Sequence, residues 1–258
     1  MKSFINKGIH EVLKLARKPV SCSIVEKTAY LNRAAEVQCE IKDWLGPTDY
    51  DKVGLGQNCN ASWYLKVTEN KRASYPFDWL FTTPEIIEDI LSDNFEAFLD
   101  KSQLIPHGLD AGHERYHDWL FGHRNPASSD ADLEFLRRCV ARWNELIQSQ
   151  KPILFVTVVL NEFDKRKRWR EGFSKQFELP TAQTLKDFES MMNRISAINP
   201  NCKFLFIEQY TEESFKLSTE ATTENAFWLK FSAIDKNTGV QYLNNVDDAV
   251  IKTVLKGL

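Results

Sequence analysis

Alternating strand-like and helix-like segments predict an α/β fold: a mostly parallel sheet with helices on both faces, three layers in all, preceded by an N-terminal helical extension. Three observations carry this expectation. Residues 152–160 (PILFVTVVL) and 203–209 (KFLFIEQ) are short, nearly continuous apolar runs, as in strands covered on both faces. Residues 184–198, between them, carry apolar side chains at helical spacing and end at Asn199-Pro200-Asn201. Strands linked by helices of this length form parallel pairs with right-handed crossovers.

The elements follow in chain order. Residues 1–48 read as the extension and 49–258 as the α/β domain. Ile5, Ile9, Val12, Leu13 and Ala16 recur at helical spacing among Lys2, Lys7, Lys14, Arg17 and Lys18. Such a basic amphipathic helix could dock weakly on an anionic membrane or a partner, but its narrow apolar stripe favours simple packing. A second helix spans residues 24–45 and stops at Gly46-Pro47. Residues 50–55 predict a strand, broken by Gly54-Leu55-Gly56, and 58–67 a helix. Residues 84–99 predict one helix, opened by Thr83-Pro84. Residues 103–126, rich in His, Gly and aromatics without a clean period, predict a long loop or short irregular strands. A helix over 129–149, a strand over 226–234 and a closing helix over 247–255 complete the reading.

Bulk properties narrow the function classes. The 258 residues are 43% apolar and 27% charged, with a formal net charge of −3. That balance lacks the basic excess of a nucleic-acid binder. No apolar run is long enough for a transmembrane helix, and the N-terminus lacks a secretory signal, so the expected location is the cytoplasm. Five scattered cysteines without a Cys-x-x-Cys pair argue against a disulfide framework or structural zinc. No cofactor and no metal site is expected.

Four constellations can carry chemistry. In Val53-Gly54-Leu55-Gly56-Gln57-Asn58-Cys59-Asn60 a strand turns into a helix, whose free N–H groups and dipole would favour a Cys59 thiolate. Gly54, Gly56 and Asn58 would shape an oxyanion-binding turn open to a substrate's approach; the bland alternative is a tight turn before a buried cysteine. Asp78, within Tyr75-Pro76-Phe77-Asp78-Trp79, is a carboxylate among apolar neighbours and needs a partner, whether as an orienting acid or as a structural turn residue. His107, His113, His117 and His123 supply candidate imidazole bases for a thiol nucleophile, and their spacings match no established zinc motif. Lys165, Arg166 and Arg168, together with Arg124, could hold an anionic ligand beyond the carboxyl ends of the strands.

Taken together, GLGQNC, then ASYPFDWLFTTPE, then a His-rich stretch ending FGHRNP, then PILFV, resembles a bacterial family of unknown function described as papain-like cysteine peptidases. The resemblance runs from about residue 50 to 209. It implies a cysteine-dependent hydrolase with Cys59 as nucleophile, His123 as base and Asp78 as orienting acid, acting on a peptide or an acyl-bearing glycan. Many members follow the histidine with Asp-Phe, whereas Arg124-Asn125 follows His123 here, so His117, with Asp118 after it, competes for the role. The position of Cys59 after the first strand of a doubly wound sheet is also similar to that of the nucleophile in Ser-Gly-Asn-His esterases. The alternative function is a glycan- or nucleotide-sugar-handling protein that binds an anionic group at 165–170.

Overall fold

A computed structural model of the chain describes residues 24–161, 171–178, 182–212 and 215–258. The stretches at 1–23 and 162–170, on which the expected basic amphipathic helix and the cluster Lys165, Arg166 and Arg168 fall, lie outside the described residues.

In chain order the main elements are α1 (Ile24–Leu45), β1 (Asp51–Gly54), α2 (Asn60–Val67), α3 (Pro84–Ser92), α4 (Glu96–Leu99), β2 (Leu104–His107), β3 (Asp110–His113), β4 (His117–Phe121), α5 (Asp130–Gln148), β5 (Ile153–Leu160), α6 (Glu189–Ile198), β6 (Cys202–Thr211), β7 (Lys216–Thr222), β8 (Ala226–Ala233) and α7 (Asn245–Leu255). Five strands form the main sheet in the order β1-β5-β6-β8-β7. β1, β5, β6 and β8 are parallel, and β7 runs antiparallel on the outer side of β8.

Strand periodicity divides the core. All eight residues of β5 are buried. Ile153, Phe155 and Val159 face one layer with Phe204, Phe206 and Trp228, whereas Leu154, Val156, Val158 and Leu160 face the other with Leu205, Ile207, Leu229 and Phe231. The first layer is filled from α3, α5 and α6 by residues such as Ile90, Trp143 and Ile195. The second is filled by α1, α2 and α7, through Val37, Tyr64 and Val254 among others. The chain is thus the three-layer α/β fold that its sequence predicts. Thr157, the polar exception in the β5 run, donates its hydroxyl to Leu55 O at 2.6 Å. Although expected within an N-terminal extension, α1 packs its Ala34, Val37, Ile41 and Leu45 into the second layer.

The structure refines three local expectations. The helix expected over 84–99 is two, because Asn94 (φ 55°) and Phe95 (φ 66°) adopt left-handed backbone and Asp93 caps the restart by accepting from Ala97 N at 3.0 Å. Of the two alternatives for residues 103–126, the structure takes the short irregular strands: an antiparallel three-stranded sheet, β2-β3-β4, with a register shift between Ala111 and His113. β7 was not expected: KLSTEAT is largely polar because an edge strand buries only part of one face. Among the described residues no helix is long and apolar enough to cross a membrane.

Candidate functional site at the carboxyl edge of the sheet

β1 ends at Gly54, and the chain turns through Gln57 and Asn58 into α2. The two glycines of the turn serve packing against the next motif. A Cβ at Gly54 would collide with Ser62 Oγ and stand 3.0 Å from Asp78 Oδ1; one at Gly56 would stand 2.5 Å from Asn58 O and 3.0 Å from Phe77 O. Gly56 N donates to Phe77 O at 3.3 Å, and the Thr82 hydroxyl donates to Gly56 O. Gly54 lies in the strand itself. This corrects the reading of Gly54 and Gly56 as an open approach for substrate: their Cβ space belongs to the protein, and the Gly56 amide is committed.

Asp78 is fully buried and saturated. It accepts from Ser62 Oγ at 2.7 Å and from Tyr75 N at 2.6 Å, and it pairs with the buried Lys71 ammonium. Burial pushes its pKa up, against the lowering effects of Lys71 and of the bonds to Tyr75 and Ser62. Its hydrogen bonds tie the Pro-Phe-Asp-Trp motif to α2, and none of them goes to an imidazole.

The rings of His107, His113 and His117 pack against other side chains or the backbone. The His117 ring is buried, stacked on Phe81 at 5.4 Å and edge-on to Phe173 at 4.4 Å, and its Nδ1 accepts from Trp119 N at 2.9 Å. His113 Nε2 lies 2.9 Å from Ala97 O, and burial lowers its pKa. His107 stacks on Trp119 at 4.3 Å. His123 is exposed, in left-handed backbone (φ 66°), and its backbone N–H, not its ring, donates to Asp110 Oδ1 at 2.7 Å. Arg124, proposed as an anion ligand, pairs with Asp132 at 3.1 Å and stacks over Phe135 at 3.5 Å. Its charge is already answered.

Cys59 stands at the N-cap position of α2, but its side chain makes no capping bond. The thiol is 6% exposed, and its pKa is pushed up to about 12, first by burial and then by the charges of Asp78 and Asp110. A helix start should favour the thiolate; here desolvation and two carboxylates outweigh it. The expected low-pKa Cys59 is therefore corrected.

What the turn does gather is carboxamides. Asn58 Oδ1 accepts from Asn60 N at 2.9 Å, doing the capping that Cys59 does not. Asn60 Oδ1 accepts from Asn237 Nδ2, in the loop after β8. Gln57 Oε1 accepts from Leu160 N at 3.0 Å, at the end of β5, while its Nε2 donates to Gln183 Oε1. Asn161 Nδ2 donates to Gln183 O at 2.9 Å and to Glu208 Oε1 at 2.5 Å, and Trp228 Nε1 donates to Glu208 Oε2 at 2.8 Å. A belt of carboxamides, joined at β6 to the Glu208 carboxylate, therefore runs along the carboxyl edge of β1, β5, β6 and β8. Three of its donors, Asn58 Nδ2, Asn60 Nδ2 and Gln183 Nε2, are buried without a hydrogen-bond partner. A stranded buried donor costs roughly 1–3 kcal/mol, so three together set this edge apart from the rest of the described core.

Sequence reasoning named Asn58 only as a turn residue and missed Gln57, Asn60 and Gln183. The run of amides in GQNCN was the available signal. Among the described residues no group of three or more His, Cys, Asp or Glu side chains is placed to hold a metal ion. No protein-family model matches the chain, and no curated protein or solved structure matches it significantly.

Proposed function

We propose that this protein handles a glycan or nucleotide-sugar, bound at the carboxyl edge of its parallel sheet. The observation that carries the reading is the pair of buried, unpartnered amide nitrogens of Asn58 and Asn60 at the start of α2. In open α/β sheets that edge is where ligands bind, and a helix start there offers further N–H donors. Planar amides suit the many acceptor oxygens of a sugar. The basic run 165–170, directly after Asn161, would supply charge for a phosphate or acidic group.

The test is binding by the whole chain to uridine- and guanosine-diphosphate sugars, phosphorylated sugars and free sugars, followed by calorimetry. Asn58→Asp retains the oxygen that accepts from Asn60 N but replaces the donor with a carboxylate. It should weaken the best ligand by about tenfold or more, the worth of a lost hydrogen bond; because Asn58 is buried and the new carboxylate is charged, the uncharged Asn58→Ser is measured beside it and should show the same loss. Absence of binding across the panel, or equal binding by the variants, would refute the reading.

A second reading, the cysteine-dependent hydrolase implied by the sequence resemblance, is favoured by one observation: Cys59 sits at the start of α2 among these donors. Its raised pKa and the commitment of Asp78 to Lys71, Ser62 and Tyr75 weigh against it.

A further inference from the structure

In a parallel sheet, every helix that directly follows a strand begins at the same edge. Here α2 follows β1 and α7 follows β8, both lie on the same face, and they touch. Asn60 and Tyr64, one turn apart on α2, are the points of contact. Asn60 Oδ1 accepts from Asn237 Nδ2, and the Tyr64 hydroxyl accepts from Tyr242 N at 2.9 Å and donates to Asp248 Oδ1 at 3.0 Å. The loop between β8 and α7 is thereby clamped to the start of α2.

The two helix starts are built alike. At α7, Asn244 Oδ1 accepts from Val246 N at 2.7 Å, as Asn58 Oδ1 accepts from Asn60 N at α2. Asn244 is fully buried, and its Nδ2, like those of Asn58 and Asn60, has no partner. Three asparagines on two adjoining helix starts thus use their oxygens internally and leave their nitrogens unanswered.

The charge around this wall selects what could answer them. Asp247 and Asp248, both buried, follow Asn244 in the first turn of α7, and Asp78 accepts from Ser62 Oγ of α2. Asp247 accepts from Ile234 N at 3.0 Å and from Asp235 N at 3.1 Å, and Asp248 pairs with Lys252 at 2.6 Å. Lys71 answers Asp78 and Lys252 answers Asp248, so Asp247 is the carboxylate that offsets the positive end of the α7 dipole. A polyanion is disfavoured at such a place, whereas neutral hydroxyl, ether or carbonyl oxygens bring acceptors without charge.

We infer that the start of α7 is the second wall of the ligand site, where Asn244 Nδ2 donates to an uncharged, hydroxyl-bearing portion of the ligand such as a sugar ring. The inference rests on the carboxyl-edge reading above and adds to it a residue, a loop and a division of labour. Sugar recognition falls to the asparagine wall, and any anionic group lies away from it.

The experiment compares the wild type, Asn58→Asp and Asn244→Asp by calorimetry. The ligands are the tightest-binding nucleotide-sugar and the same nucleoside diphosphate without the sugar. Asn244→Asp keeps a capping oxygen for Val246 N. Because it adds charge beside Asp247 and Asp248, Asn244→Ser, which caps without charge, is measured beside it. Both Asn244 variants should bind the nucleotide-sugar at least tenfold more weakly while binding the sugar-free nucleotide as the wild type does. If they bind the nucleotide-sugar normally while Asn58→Asp does not, the second wall is disproved and the α2 site stands. Equal loss of both ligands would overturn the division of labour. Failure of the wild type to bind any sugar-bearing ligand would remove the site and this inference with it.

Discussion

Cys59 shows how opposing effects at one atom are decided by magnitude. The helix start favours a thiolate by roughly 1 kcal/mol, whereas burial and two nearby carboxylates act against it and prevail. The thiol's ordinary value is 9.0 and the folded value about 12, so burial and the Asp78 and Asp110 charges win. Cys139 and Cys202 are also buried with raised pKa values, the latter to about 12, whereas Cys39 is exposed. With alkylating reagent on the native protein at pH 7, followed residue by residue by mass spectrometry, Cys39 should therefore be modified before the three buried cysteines. Cys59 should lag it by at least about tenfold, since thiolate fraction and access set the rate. Labelling of Cys59 ahead of Cys39 would revive the nucleophile. The sequence placed Cys59 at a strand-to-helix turn correctly. It could not show that Gly54 and Gly56 are glycine because Asp78, Ser62 and Phe77 crowd them, since that crowding is a contact between separate segments.

At the scale of elements, apolar runs and caps were legible, and departures arose where local backbone or an edge took over. Residues 24–45, 129–149 and 152–160 read almost to the residue, because buried periodicity and the Ser129 cap, accepting from Asp132 N at 3.2 Å, are local signals. The break at Asn94 and Phe95 and the polar edge strand β7 carry no such signal. The junction of β8 and α7 shows how a tertiary contact sets a titration. Asp247 is buried, and its pKa is raised from 3.8 to about 6, chiefly by desolvation, against the lowering effect of the Ile234 and Asp235 amides. A raised folded-state value means that the folded protein holds the proton more tightly. Its stabilisation is full below the ordinary value of 3.8 and is lost as pH rises through about 6. Comparing denaturant melts at pH 4 and pH 7, the stability of the wild type relative to Asp247→Asn should fall by about 2 kcal/mol. A constant difference would show that Asp247 keeps an ordinary pKa.

Over the whole molecule, the layered architecture turns chain order into a site. Because β1, β5, β6 and β8 are parallel, their carboxyl ends, the α2 turn, Asn161, Glu208 and the loop before α7 converge on one edge. The fold class was readable from strand and helix alternation. The amide belt was not, since Asn60, Asn161, Gln183 and Asn237 lie far apart in sequence and only the sheet brings them to that edge. The most direct test of the account is a crystal structure of the chain soaked with the nucleotide-sugar that binds it best. The account predicts sugar oxygens within hydrogen-bond distance of Asn58 Nδ2 and Asn60 Nδ2, at about 2.7–3.2 Å. Ordered water alone on those nitrogens, with the ligand bound at another face, would contradict it.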